Sequence, residues 1–167
     1  MSKQEQGEET VALVTGASHG IGLEVARQLA EHGMHVVVTA RDEAKAQEAA
    51  QTLGADGLQV TPMALDVASG DSVHTLARQL QDDPGRLDVL VNNAAGLVDW
   101  SEKASSADLD ASRALFEVNV FGTWRVAETL LPLLRQSAHG RLVNREAGAV
   151  VGGQLSGSQT RNTVRPG

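Results

Sequence analysis

Thr10 to Gly22, TVALVTGASHGIG, constrains the chain more than any other stretch. Val11 to Val14 form a short apolar run of strand type, and Gly16, Gly20 and Gly22 follow at once. Ile21 to His32 then reads as a helix, with Ile21, Val25, Ala26 and Leu29 on one face and Gly33 as its C-cap. A strand that passes through a glycine turn straight into a helix aims unsatisfied helical N–H groups at the turn. Those groups and the positive end of the helix dipole attract an anion, and glycines let the backbone come close to it. The spacing is G-x-x-x-G-x-G rather than the general G-x-G-x-x-G fingerprint. Binding of a dinucleotide pyrophosphate is one reading of it, and a tight structural turn is the other.

The remainder of the chain alternates strand and helix patterns. His35 to Ala40 (HVVVTA) is a second buried strand, and a helix from Asp42 to Leu53 ends at Gly54 and Gly57. Leu58 to Leu65 is a third strand, which Pro62 assigns to a sheet edge. Asp71 to Gln81 is an amphipathic helix with Val73, Leu76, Ala77 and Leu80 inward, and Leu87 to Val91 is a fourth strand. A long helical pattern covers 107–136, with Leu115, Val118, Phe121, Val126, Leu130 and Leu134 at helical spacing and Pro132 as a kink or break. Arg141 to Asn144 begins a fifth strand. This alternation demands a parallel sheet with right-handed crossovers, helices on both faces. The fold class is therefore α/β, a Rossmann-type doubly wound sheet of order 3-2-1-4-5. Its ligand crevice lies at the C-terminal ends of strands 1 and 4, where the glycine turn and Asn92 to Gly96 both fall.

Composition narrows the classes. A chain of 167 residues suits one domain, and no apolar run is long enough for a membrane helix. The polar start, residues 1–9, lacks the basic end and apolar core of a signal peptide and reads as a mobile tail. There is no cysteine, hence no disulfide framework and no thiolate metal site, and a cytoplasmic home is the default. A net charge of −7 argues against a nucleic-acid partner.

Thr15 to Gly22, T-G-A-S-H-G-I-G, resembles the cofactor loop of the short-chain dehydrogenases/reductases. Three further motifs follow in order: Asp66-Val67 after strand 3, Asn92-Asn93-Ala94-Ala95-Gly96 after strand 4, similar to the family's N-N-A-G, and Asn119 in F-E-V-N-V-F-G. The resemblance implies a cofactor loop of Gly16, Ser18, His19, Gly20, Ile21 and Gly22. It also implies adenine contact at Asp66 and Val67, and a cleft lined by Asn93 and Ala94. By the same resemblance Asn119 holds a water and positions a catalytic lysine. Against these stand a turn cap for Asp66 and a backbone-bonded core asparagine for Asn119. Arg41 directly follows strand 2, where a cation pairs with a 2′-phosphate and a carboxylate would bond a free 2′-OH. NADP (NADPH) is therefore expected over NAD, with His19 as a second contact, unless Arg41 is only a solvated surface charge.

The resemblance breaks after strand 5. Asn144 runs into Arg145-Glu146-Ala147-Gly148 where the family has a serine pair. The family's Tyr-x-x-x-Lys is also missing: the chain has no tyrosine, its last lysine is Lys103, and Leu155 and Gln159 stand at the closest local match. Hydride transfer to a carbonyl needs a proton donor within reach, and leucine offers none. The chain thus reads as an NADP-binding Rossmann domain over 10–144 and an irregular remnant of the catalytic segment over 145–167, truncated on the C-terminal side. The expected protein is by lineage an oxidoreductase on alcohol and ketone groups, catalytically impaired as given. The alternatives are a non-catalytic nucleotide-binding or interaction module, or a truncated product without activity. Loss of the helix after strand 5 would uncover apolar surface, which predicts a homo-oligomer through the helix at 107–136.

Overall fold

The computed structural model describes residues 9–96 and 108–145. The tail at 1–8, the helix start at 107 and the segment from 146, with Leu155 and Gln159, lie outside those residues.

Five strands form one parallel sheet: β1 (Val11–Val14), β2 (His35–Ala40), β3 (Val60–Ala64), β4 (Val89–Asn92) and β5 (Arg141–Asn144). The order is β3-β2-β1-β4-β5, as the alternation of patterns requires. In register, Leu13 of β1 stands beside Val37 of β2 and Leu90 of β4. Successive strand residues point to opposite faces, so a strand covered on both sides must be apolar throughout. VALV meets that condition, with every residue buried. On one face Val11, Leu13, Val37 and Leu90 pack against Val73, Leu76 and Leu80 of α3 (Gly70–Asp82) and Val126, Leu130 and Leu134 of α5 (Thr123–Gln136). On the other, Ala12, Val14, Val36, Val38 and Val91 pack against Ala26 and Ala30 of α1 (Gly20–Glu31) and Ala50 and Leu53 of α2 (Glu43–Gly54). Each fully buried Val or Leu side chain contributes about 1.5–3 kcal/mol, and the two layers together pin the sheet between helices.

Pro62 sits in β3 opposite Val38, on the sheet edge, where its missing N–H breaks no ladder bond. β3 is shorter than the apolar pattern at 58–65. Two inward positions differ from the sequence pattern. Ile21 is exposed, and α1 instead buries Gly22, Ala26 and Ala30, a stripe of small residues that lets the helix lie close to the sheet. Phe121 is also exposed. The helical pattern expected over 107–136 is not one α-helix: α4 (Leu109–Phe116) passes through a π-helical turn at Glu117–Gly122 into α5. The wider turn rotates the residues before it relative to those after it. Pro132 lies inside α5 on its exposed side, so the helix continues past it without a break.

Candidate functional site

The crevice is built at the C-terminal ends of β1 and β4, where the chain leaves neighbouring strands toward opposite sides. Gly16 has φ +63° and Gly20 has φ +60°, so the turn from β1 into α1 needs a left-handed backbone at both positions. A Cβ at Gly16 would come within 2.9 Å of the Ala94 Cα. One at Gly22 would strike the Asn93 side-chain amide and come within 2.5 Å of the Gly16 carbonyl oxygen. Both glycines are therefore fixed by close approach of the β4 end. Gly20 is different: among the described residues nothing lies within 4 Å of a Cβ built there, which leaves its outer side open to a ligand.

A polar network locks this turn. The Thr15 hydroxyl oxygen accepts from the backbone amides of Asn93 and Ala94, each at 2.9 Å. The Asn93 side-chain amide donates to the carbonyls of Thr15 at 2.9 Å and Gly16 at 3.1 Å. Thr15 and Asn93 are both buried, so their bonds are little screened by water and hold the loop in one conformation. Above it, α1 begins without a side-chain cap, and its first turn holds no acidic residue. The His19 ring instead pairs with the Ser18 hydroxyl at 3.0 Å. By contrast α2, α3 and α4 are capped by Asp42, Ser69 and Asp108. Among the described residues the α1 terminus thus keeps free N–H groups over an open glycine, a shape and charge that fit a pyrophosphate.

The other sequence-derived residues fall around this turn in different ways. Arg41 follows β2 and is exposed. A depression of about 380 Å³ between the glycine turn and α2 is lined by Ser18, His19, Leu23, Lys45 and Glu48. Lys45 was not singled out by sequence; it lies in a helix rich in Ala, Glu and Gln, and only the folding of α2 places it in the lining of the same depression as Ser18 and His19. Asp66 Oδ1 accepts from the Ala68 amide at 3.0 Å, which makes it a turn cap, with Oδ2 unpaired among the described residues. Val67 is buried, and its carbonyl accepts from the Arg125 guanidinium at 2.7 Å. Arg125 also pairs with Glu117 at 2.7 Å, so it clasps both ends of the π turn to the strand-3 exit. Asn119 is exposed rather than in the core. Its Oδ1 accepts from the Gly96 amide at 2.7 Å and its Nδ2 donates to the Gly96 carbonyl at 3.3 Å, joining the π turn to the end of the Asn92–Gly96 motif. Among the described residues, no cluster of His, Cys, Asp and Glu is suited to a metal ion.

A model of the short chain dehydrogenase family matches residues 10–157. The chain belongs to the short-chain dehydrogenases/reductases. This is an oxidoreductase family, and the five-stranded sheet described above is its Rossmann-like core. Among curated relatives, the chain is 42% identical over 135 residues to human carbonyl reductase [NADPH] 3, covering 80% of this chain and 47% of that protein. It is 35% identical over 155 residues to (+)-neomenthol dehydrogenase of Arabidopsis thaliana, covering 80% and 52%. Among solved structures, a metagenomic short-chain oxidoreductase in complex with NADP superimposes with a TM-score of 0.74 at 32% identity, over 81% of this chain and 61% of that one. The actinorhodin polyketide ketoreductase with NADPH gives a TM-score of 0.75 at 35% identity, over 82% and 52%. The chain thus spans about half the length of the curated relatives it matches.

Proposed function

We propose that this short-chain dehydrogenase/reductase chain binds NADP(H) in the crevice between β1 and β4, and prefers it to NAD(H). The observation that carries the reading is the uncapped α1 terminus above Gly20, with Gly16 and Gly22 held by Asn93 and Ala94. The pyrophosphate is held by the loop Gly16, Ser18, His19, Gly20, Ile21 and Gly22. Arg41 and Lys45 supply cations toward a 2′-phosphate, with His19 as a second contact, and Asp66 and Val67 flank the adenine side. Asn93 and Ala94 work by fixing the turn. When bound, the cofactor supplies or accepts the hydride. The relatives whose names carry NADP or NADPH support this choice of dinucleotide.

By the same reading, these 167 residues are by themselves a poor catalyst of carbonyl reduction. These 167 residues contain no tyrosine, and their last lysine is Lys103, so they supply neither the family's proton donor nor the lysine that tunes it. Asn119 is bonded to Gly96. A non-catalytic nucleotide-binding or interaction module is the second reading, favoured by that absence of tyrosine. In either case the exposed face of α4 and α5 suits a second copy of the chain.

Titration of the purified chain with NADPH and NADH, followed by nicotinamide fluorescence and by melting temperature, tests the reading. Saturable binding that is tighter for NADPH and raises the melting temperature is expected. Arg41→Ala should weaken NADPH by about tenfold and leave NADH nearly unchanged, in line with loss of one charge-assisted contact. A folded chain that binds neither nucleotide would refute the proposal. Ketone turnover at rates normal for enzymes would refute the claim of impairment.

A further inference from the structure

Arg145 follows β5 where the serine pair of the resembled family begins, and none of the cofactor contacts above uses it. Its backbone amide donates to the Asn92 carbonyl at 2.9 Å, which extends the β4–β5 ladder one step past Asn144 and fixes its position. Its guanidinium turns back across the end of β4 and donates to Asn93 Oδ1 at 3.2 Å. The amide nitrogen of that same Asn93 is bonded to the Thr15 and Gly16 carbonyls. A single side chain therefore separates the guanidinium from the glycine turn. The residue is half-buried, and among the described residues its side chain has only this neutral partner. A guanidinium carries further N–H donors, so among the described residues most of its hydrogen-bonding capacity and its charge stay available to a ligand in the crevice.

We propose that Arg145 is a further cofactor-holding residue, and that it tips the crevice toward the reduced form of the dinucleotide. The inference rests on the dinucleotide reading of the glycine turn. The adenosine half lies along the ends of β2 and β3, by Arg41 and Asp66, and the pyrophosphate lies at the turn. The other half must then pass over the ends of β4 and β5, where Arg145 stands. Both redox forms carry the phosphates that a guanidinium attracts. They differ by one positive charge, which the oxidised form places on its nicotinamide ring. A fixed cation on that side favours the reduced form, and partial burial keeps the effect above that of a surface charge.

The test is the dissociation constants of NADPH and NADP+ for the wild-type chain, Arg145→Met and Arg145→Lys, measured by calorimetry together with the melting temperature of each. Arg145→Met is expected to weaken NADPH by about fivefold and NADP+ less, so that the ratio of the two constants falls about threefold. Arg145→Lys keeps the charge and should keep the ratio. Arg145→Gln removes the charge while retaining a donor for Asn93, and should reproduce the methionine result if Arg145→Met fails to fold. A ratio that stays the same in the uncharged variants, whether or not both affinities fall together, overturns the inference and leaves Arg145 a brace for Asn93. Wild-type chain that binds neither form overturns the dinucleotide reading itself.

Discussion

A methyl group at Gly22 would strike the Asn93 side-chain amide and the Gly16 carbonyl, groups already engaged in locking the turn. At Gly20 the same methyl meets nothing within 4 Å, and only the left-handed backbone, φ +60°, resists it. The two substitutions should therefore fail in different ways. Gly22→Ala should cost about 2–3 kcal/mol of stability, because a packed polar network has no room to relax. Gly20→Ala should cost about 1 kcal/mol, the strain of a non-glycine residue in that conformation. Yet Gly20→Ala should abolish most NADPH affinity, since its methyl occupies the open side of the turn. Urea denaturation beside nucleotide titration separates the two effects. Equal losses of stability, or undiminished NADPH binding by Gly20→Ala, would count against the assignment. The glycine pattern was readable because only glycine tolerates these positions. Lys45 and Arg145 were not, because a lone cation in a sequence carries no address until packing brings distant segments together.

At the scale of elements, Asp88 joins three of them at the opposite end of the sheet. Its carboxylate accepts from the Val11 amide of β1 at 2.8 Å, from the Arg86 guanidinium at 2.8 and 3.0 Å, and from the Ser137 hydroxyl just after α5 at 2.5 Å. Its own carbonyl accepts from the Arg141 amide at the start of β5. Burial alone would raise its carboxyl pKa, but the bonds from Arg86, Ser137 and Val11 outweigh it and hold the group below its ordinary value of 3.8. A depressed folded pKa means that the carboxylate stabilises the fold above the unfolded value and loses that contribution as pH falls through the folded one. Asp88→Asn should thus lower stability at pH 7 by about 2–3 kcal/mol, and the gap from wild type should narrow below pH 4. A gap independent of pH would show that the charge of Asp88 is not what matters. The sequence exposes this anchor poorly, since L-D-V-L-V reads simply as a strand. The π turn at Glu117–Gly122 is equally hidden: helical spacing alone spans it, and the contacts that accompany it, Gly122 against Val67 and Arg125 on the Val67 carbonyl, join segments distant in sequence. Strand and helix existence, by contrast, followed from short-range pattern, which is why all five strands overlap the stretches read as strands.

At the scale of the whole molecule, the aromatic side chains among the described residues are on the wrong side for a core. The chain has two phenylalanines and two tryptophans, and Phe116, Phe121 and Trp124 are 62%, 50% and 65% exposed. The core among the described residues is built of Val, Leu and Ala alone. Leu109 and Val120 extend the same exposed face, and a depression of about 400 Å³ lined by Leu109, Phe116 and Phe121 opens in it. Large aromatic side chains are retained in water only at a cost, and they are the residues enriched where protein surfaces meet. No helix among the described residues is long and apolar enough to cross a membrane. A second copy of the chain, laid helix against helix, would cover the face in both molecules at once, as a two-fold contact does. Sedimentation velocity from about 1 to 100 μM should therefore show a concentration-dependent dimer, with a melting temperature that rises with concentration. Trp124→Glu combined with Phe116→Glu should give a monomer at every concentration. Its far-UV spectrum should be unchanged and its NADPH affinity kept, because both side chains are already in solvent and neither touches the glycine turn. A wild-type chain that stays monomeric throughout would defeat this expectation, and a double variant that still dimerises would move the interface to the exposed Leu142 and Val143 of β5.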